Sequence, residues 1–176
     1  MKRLTVIAAV FVALGTPVLA QLAPLTDAQI EDAIALGKKG HVPGALAGRF
    51  LGISKGDFDV VILGPMGRIA DAASGAAKEL RPFTRADVTP EMTAPVYQVF
   101  IHHTQGGAWA YPEHIVLMPR GSKNLDDAIQ PVRDSLRQSS DAYFDRLPDG
   151  EFDVVIATSK GMQRYNVTMK DRQKIQ

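Results

Sequence analysis

Short runs of β-branched and aromatic residues, each bounded by a turn signal, constrain the fold of this chain most strongly. The clearest run is Phe58–Leu63, which stands between Lys55-Gly56 and Gly64-Pro65. Similar runs predict strands over 46–53, 96–103, 115–118, 152–157 and 163–169, the last two joined by a turn at Ser159-Lys160-Gly161. Such strands favour a mostly antiparallel sheet or a small β-sandwich, because a doubly wound sheet needs repeated βα units.

A helix over 26–39 precedes these strands. Thr26 is placed to cap it, and Gln29 three residues later completes a capping box. Leu25 and Ile30 occupy the two positions of a hydrophobic staple around the same cap. These local signals predict an N-terminal helix.

A second, inserted helix is predicted over the alanine-rich segment 69–80. Thr89-Pro90-Glu91 favours a single helical turn, since proline suits the first helical position. Residues 125–138 stay open, because their apolar side chains have helical spacing but Pro131 would break a helix. The predicted fold class is therefore α+β, with two helices beside the sheet or sandwich.

The start of the chain has the pattern of a secretory signal peptide. Lys2 and Arg3 precede 12 uncharged residues, 4–15, and Val18-Leu19-Ala20 has the small residues of a cleavage site. An uncleaved anchor is the alternative, but a membrane span needs roughly 20 apolar residues. We expect residues 1–20 to be removed, leaving 21–176 as one globular domain without a stable membrane anchor. The expected location is periplasmic or extracellular.

Composition limits the partners of this domain. The chain has no cysteine, so its stability must come from the core and not from disulfides. Loss of Lys2 and Arg3 would leave 18 basic against 19 acidic residues, mixed along the chain. Because a nucleic-acid binder needs a basic excess or stripe, no nucleic-acid partner is expected.

Two segments match the sequence pattern of a known site but lack the secondary structure that such a site needs. The turn at 64–70 has glycines between a strand and a helix, as in a dinucleotide site, but Pro65 removes an amide donor and no second βαβ strand follows. The residues 52–56 match G-x-S-x-G, but a predicted strand follows where a nucleophile elbow needs a helix. No cofactor is expected from either motif.

The histidines carry the metal hypothesis. His102 and His103 end one predicted strand and His114 begins the next. Neighbouring residues of a strand point to opposite faces, so only one of the first two could share an ion with His114 and Glu113. His103 and His114 are the predicted zinc or copper ligands. A solvated loop rim is the alternative interpretation.

The most distinctive segment is Arg81-Pro82-Phe83-Thr84-Arg85-Ala86-Asp87-Val88-Thr89-Pro90-Glu91-Met92. Together with Thr26-Asp27-Ala28-Gln29-Ile30-Glu31 and Ala94-Pro95-Val96, it resembles a family of uncharacterised secreted bacterial proteins. The resemblance implies an exported single domain with a capped first helix and a β-rich remainder. It implies no activity and no catalytic residue.

The expected function is therefore that of an exported, non-enzymatic binding domain with an unidentified protein or small-molecule partner. Trp109 and Tyr111, in a glycine-rich loop between two strands, are the predicted binding residues, since loops on a rigid sheet commonly carry contacts. The alternative is an exported hydrolase or metal-dependent enzyme that uses the region from His102 to His114.

Overall fold

The computed structural model describes residues 22–43, 58–103, 111–136 and 141–175. The predicted signal peptide, the predicted strand at 46–53, the motif at 52–56 and Trp109 lie outside these ranges. The helices are α1 (Asp27–Lys38), α2 (Pro65–Lys78), α3 (Pro90–Thr93) and α4 (Met169–Ile175). The strands are β1 (Phe58–Leu63), β2 (Tyr97–His103), β3 (Pro112–Pro119), β4 (Arg133–Asp134), β5 (Asp141–Phe144), β6 (Phe152–Thr158) and β7 (Gly161–Val167).

The described strands form two antiparallel sheets, which confirms the predicted α+β class. Sheet A has the order β1-β2-β5-β4, and sheet B has the order β3-β6-β7. β1 therefore lies at an edge of sheet A, whereas β6 lies at the centre of sheet B. All pairs are antiparallel.

The two sheets bury their inner faces in one apolar core. Alternate residues of every described strand except β4 point into it, as the two-residue period of a strand requires. Phe58, Phe144 and Phe152 are fully buried there and are among its largest side chains. Phe58 and Phe152 head the repeated sequence Phe-Asp-Val-Val-Ile, and in both strands the first, third and fifth residues of the repeat lie in the core.

A helix pair covers part of the opposite face of sheet A. α1 begins at the predicted capping box, in which the Gln29 N–H donates to the Thr26 hydroxyl at 3.3 Å. α1 and α2 approach closely at Gly37, where an added Cβ would lie 2.2 Å from the Ala70 oxygen. Ala70 also contacts Leu63 of β1 in a small apolar cluster. Among the described residues, no helix is long and apolar enough to cross a membrane.

The boundaries of several predicted elements differ from the structure. α2 begins at Pro65 and not at residue 69, because proline opens the helix at its first position. The last strand spans Gly161–Val167 where 163–169 was predicted. It ends there because Thr168 and Asp171 cap α4 with a side-chain hydrogen bond of 2.6 Å. The sequence did not predict this helix.

The ambiguous segment 125–138 is not an α-helix. It has a short 3-10 turn at Leu125–Asp127 and then the two-residue strand β4. Between them, Ile129 forms a β-bridge with Leu117, with hydrogen bonds of 2.8 and 3.1 Å in the two directions. Pairing with β3 thus replaces the helical hydrogen bonds that Pro131 would interrupt.

Candidate functional site

The site begins with two charged residues on α2. Arg68 and Asp71 are the only charged residues between Pro65 and Ala77, and a spacing of three places them on one helix face. The remaining small side chains of α2 let it pack closely on α1, with Ile69 and Ala73 fully buried between the helices. The polar face of α2 is therefore left to line a cleft above sheet A.

The distinctive segment 81–92 forms one wall of this cleft. Phe83 is buried in the core of the helix pair. The carboxylate of Asp87 accepts hydrogen bonds from the backbone N–H and the hydroxyl of Thr84, at 2.8 and 2.9 Å, and these bonds lower its pKa. Thr89 then leads into α3, which begins at Pro90, so that Glu91 faces the cleft.

Sheet A supplies the floor. The cleft is a cavity of about 220 Å³, and its lining comes from α2, the 81–92 segment and the outer face of sheet A. The lining residues are Leu63, Arg68, Asp71, Ala72, Thr89, Glu91, Met92, Gln98 and Tyr143. A second cavity of about 160 Å³ adjoins it and shares Arg68, Glu91 and Tyr143. Arg68 therefore borders both spaces.

Glu91 and Arg133 close one side of the cleft as an ion pair. Their side-chain nitrogen and oxygen lie 2.8 Å apart, although both side chains are exposed. The hydrogen bond from Arg133 lowers the pKa of Glu91, and the same bond raises the pKa of Arg133. The Arg133 guanidinium also lies 4.2 Å above the ring centroid of Tyr143, a cation–π contact. The side chain of Arg133 is therefore held from two directions.

Arg68 is held differently. It is only 7% exposed, and a terminal guanidinium nitrogen donates to the backbone oxygen of Ala94. Its Nε is the one buried side-chain polar atom without a hydrogen-bond partner in the described part of the chain. No carboxylate of the described residues lies within ion-pair distance of it. Burial lowers the pKa of this guanidinium, which still remains charged at any physiological pH.

Asp71 stands at the rim. Much of the residue is open to solvent, yet desolvation of its carboxyl group raises its pKa, and Lys78 and His102 partly counteract this effect. Three groups with shifted pKa values, on Arg68, Asp71 and Glu91, thus line the cleft, and a fourth, on Arg133, lines the adjoining cavity. Such a concentration is typical of a functional site.

The residues singled out from the sequence lie elsewhere. Tyr111 is 68% exposed and lines a groove of about 680 Å³ together with Glu113, His114, Asp134 and Ser135. The structure therefore brings Tyr111 and His114 into one groove.

The predicted metal pair stays a prediction. β2, which carries His103, and β3, which carries His114, belong to different sheets and do not pair as adjacent strands. The side chain of His103 lies outside the described set. In that set, no three His, Cys, Asp or Glu side chains are grouped so that they could hold a metal ion. His102 packs its ring edge-on against Phe100, with centroids 4.2 Å apart.

The turn at 64–70 is a strand-to-helix connection without the surroundings of a dinucleotide site. α2 leads to β2, which pairs with β1 in the antiparallel direction. The helix start is also covered, because a Cβ on Gly64 would lie 2.8 Å from the Ile175 oxygen and one on Gly67 would lie 2.6 Å from the Pro43 oxygen. These glycines serve close packing.

Sequence reasoning missed Arg68, Glu91, Arg133 and Tyr143 as a group. The available signal was the isolated charged pair Arg68 and Asp71 in an otherwise uncharged, alanine-rich helix. In comparisons with known proteins, no family model, no curated protein and no solved structure matches this chain.

Proposed function

We propose that this protein is an exported binding domain, and that the cleft between α2, α3 and sheet A is its ligand site. Arg68, Asp71 and Glu91 line this cavity, and Arg133 lines the adjoining one and pairs with Glu91; this convergence of four charged groups with shifted pKa values carries the proposal. Their chain positions span 68 to 133, so the fold, and not local sequence, assembles them. The ligand is a small molecule, since a cavity of about 220 Å³ is below the roughly 300 Å³ at which sites for drug-sized ligands begin.

The chemistry of the lining supports binding. Arginine keeps its proton at physiological pH, so Arg68 and Arg133 can contribute charge and N–H donors. Gln98 and Tyr143 add an amide and an aromatic ring from the floor. Leu63, Ala72 and Met92 add apolar surface to this mostly polar lining.

A ¹H–¹⁵N NMR screen of the purified protein against a library of small metabolites tests this proposal. We expect ligands to shift the backbone amides of Arg68, Asp71, Glu91 and Gln98. Shifts confined to the groove around Tyr111 and His114 would instead place the site there and overturn the proposal. That outcome would favour the binding residues predicted from the sequence.

Export is tested separately. The signal-peptide pattern of residues 1–20 supports cleavage after Ala20. Intact-mass measurement of the protein secreted or released from the periplasm should therefore show a chain that begins at Gln21. A chain that retains Met1 to Ala20 would contradict the proposed processing.

A further inference from the structure

The buried Arg68 has unused hydrogen-bonding capacity. A guanidinium has five N–H donors, and Arg68 uses one hydrogen bond, to the Ala94 oxygen. Its Nε is buried and unpaired, although the large majority of buried side-chain polar atoms have a partner. A charged group that is 7% exposed and has no counterion is costly unless something compensates it. We propose that Arg68 binds the carboxylate of a small organic acid, which enters the cleft as the missing counterion.

This inference rests on the proposed function and names the ligand class of the same cleft. A carboxylate can accept two parallel N–H bonds from a guanidinium, and Arg68, which lines both cavities, makes one hydrogen bond, to the Ala94 oxygen. Glu91 is the described carboxylate whose charge acts on Arg68, but it lies beyond ion-pair distance from Arg68 and is paired with Arg133 at 2.8 Å. Of the four charged residues at the two cavities, Glu91 and Arg133 form an ion pair, whereas neither Arg68 nor Asp71 has an ion-pair partner among the described residues.

The other carboxylates favour a ligand with a single negative charge. Glu91 and Asp71 both line the cavity that Arg68 borders. A phosphate group carries up to two negative charges near neutral pH and would meet repulsion from both side chains. A monocarboxylate has one negative charge, which is enough to pair with Arg68 and is repelled less by Glu91 and Asp71 than the charge of a phosphate group.

The walls indicate the rest of the ligand. Leu63, Ala72 and Met92 line the cavity around Arg68, and Tyr143 contributes its aromatic ring. On the other side of Arg68, the smaller cavity is lined by Ala94, Val96 and Val132. These surfaces fit a short aliphatic or small cyclic tail attached to the carboxylate.

NMR titration with matched pairs of probes tests the ligand class. Butyrate and benzoate are compared with their neutral amides, butyramide and benzamide, and with inorganic phosphate. We expect butyrate and benzoate to shift the backbone N–H signals of Arg68 and Glu91 in a saturable manner. Butyramide, benzamide and phosphate should bind at least tenfold more weakly. Equal binding of acids and amides in the cleft would overturn the carboxylate inference and leave the cleft as the ligand site. The inference would also be overturned if metabolites of the screen shift the backbone N–H signals of the cleft but none of these probes does.

Three variants locate the carboxylate. Arg68→Met should weaken butyrate and benzoate binding at least tenfold. Arg172→Met is the matched control, because Arg172 lines neither cavity and donates to the Pro148 and Gly150 oxygens; it should leave both affinities unchanged. Glu91→Gln removes a repelling charge from an exposed side chain and should tighten phosphate binding more than butyrate binding. Equal affinities in Arg68→Met and the unmodified protein would refute the role of Arg68.

Discussion

Replacing Arg68 with methionine should make the ligand-free protein more stable while removing the proposed anion site. Methionine is unbranched and flexible, so it can follow the path of the arginine stem. The substitution removes the charge, the unpaired Nε and the hydrogen bond to the Ala94 oxygen. That oxygen also accepts from the Val96 N–H at 2.8 Å, so it keeps a partner.

Two contributions decide the size of the effect. The lost hydrogen bond from a charged donor contributes about 1.5–3 kcal/mol to stability. The relieved cost is that of holding an unpaired ion out of water, which amounts to several kcal/mol. We therefore expect the free energy of unfolding to rise by about 1 kcal/mol, which for a chain of this size raises Tm by roughly 2–4 °C.

Arg172→Met is the control with the opposite sign. Arg172 donates to two backbone oxygens, one of them at 3.0 Å, and it is only partly buried. Its loss should lower the free energy of unfolding by about 1–2 kcal/mol, since satisfied bonds disappear without relief of a buried charge.

Urea denaturation of the three proteins at neutral pH, without added organic acids, measures both effects. The expected order of stability is Arg68→Met above the unmodified protein, and that protein above Arg172→Met. If Arg68→Met loses as much stability as Arg172→Met, the charge of Arg68 is already compensated in the folded protein. The physical basis for an anion in the cleft would then be refuted.

Four further substitutions test the helix pair and the rim of the cleft, each by urea denaturation. Gly37→Ala should destabilise the protein by about 1–3 kcal/mol, because its Cβ would lie 2.2 Å from the Ala70 oxygen. In the control Gly75→Ala, the Cβ meets open space, and the protein should be stabilised by roughly 0.5–1 kcal/mol. The same sign for both changes would contradict the close contact between the helices. Leu80→Gly should stabilise by about 1 kcal/mol, since Leu80 has a φ of 56° and is 94% exposed; a loss of stability would mean that its side chain has a structural role. The raised pKa of Asp71 means that the folded protein binds this proton more tightly than the unfolded chain, so ionisation of Asp71 lowers stability as pH rises above about 4. Asp71→Asn should therefore stabilise at neutral pH and have no effect at about pH 3; equal effects at both pH values would exclude this linkage.

Local patterns were sufficient for the elements that carry their own signals. Thr26 and Gln29 specify the start of α1 through a capping box, and the β-branched run at Phe58–Leu63 predicts β1 residue for residue. β5 was not predicted, because Asp141–Phe144 is four residues long and is defined by pairing with β2. α4 was not predicted either, because the chain leaves β7 at Thr168 without a glycine or proline to mark the change.

The candidate site was beyond the reach of such patterns. Metal and nucleophile motifs directed attention to the histidines and to glycine-rich turns, whose recognition depends on spacing along the chain. Arg68, Glu91, Arg133 and Tyr143 have no fixed spacing, since they come from α2, α3 and two strands of sheet A. What marks Arg68 is burial without an ion-pair partner, and burial is a property of the folded chain. A sequence motif cannot express that property.

The distinctive segment 81–92 can now be explained by its position. At one end Phe83 is buried in the helix pair, and Arg85 pairs with Asp27 in the first turn of α1 at 2.8 Å. At the other end Glu91 pairs with Arg133 of sheet A at the same distance. The segment therefore joins the helix pair to the sheet, and the cleft is the space that remains between them. Because the segment that carries Glu91 is held by both attachments, we expect a substitution of Phe83 to alter ligand binding, although Phe83 lines neither cavity.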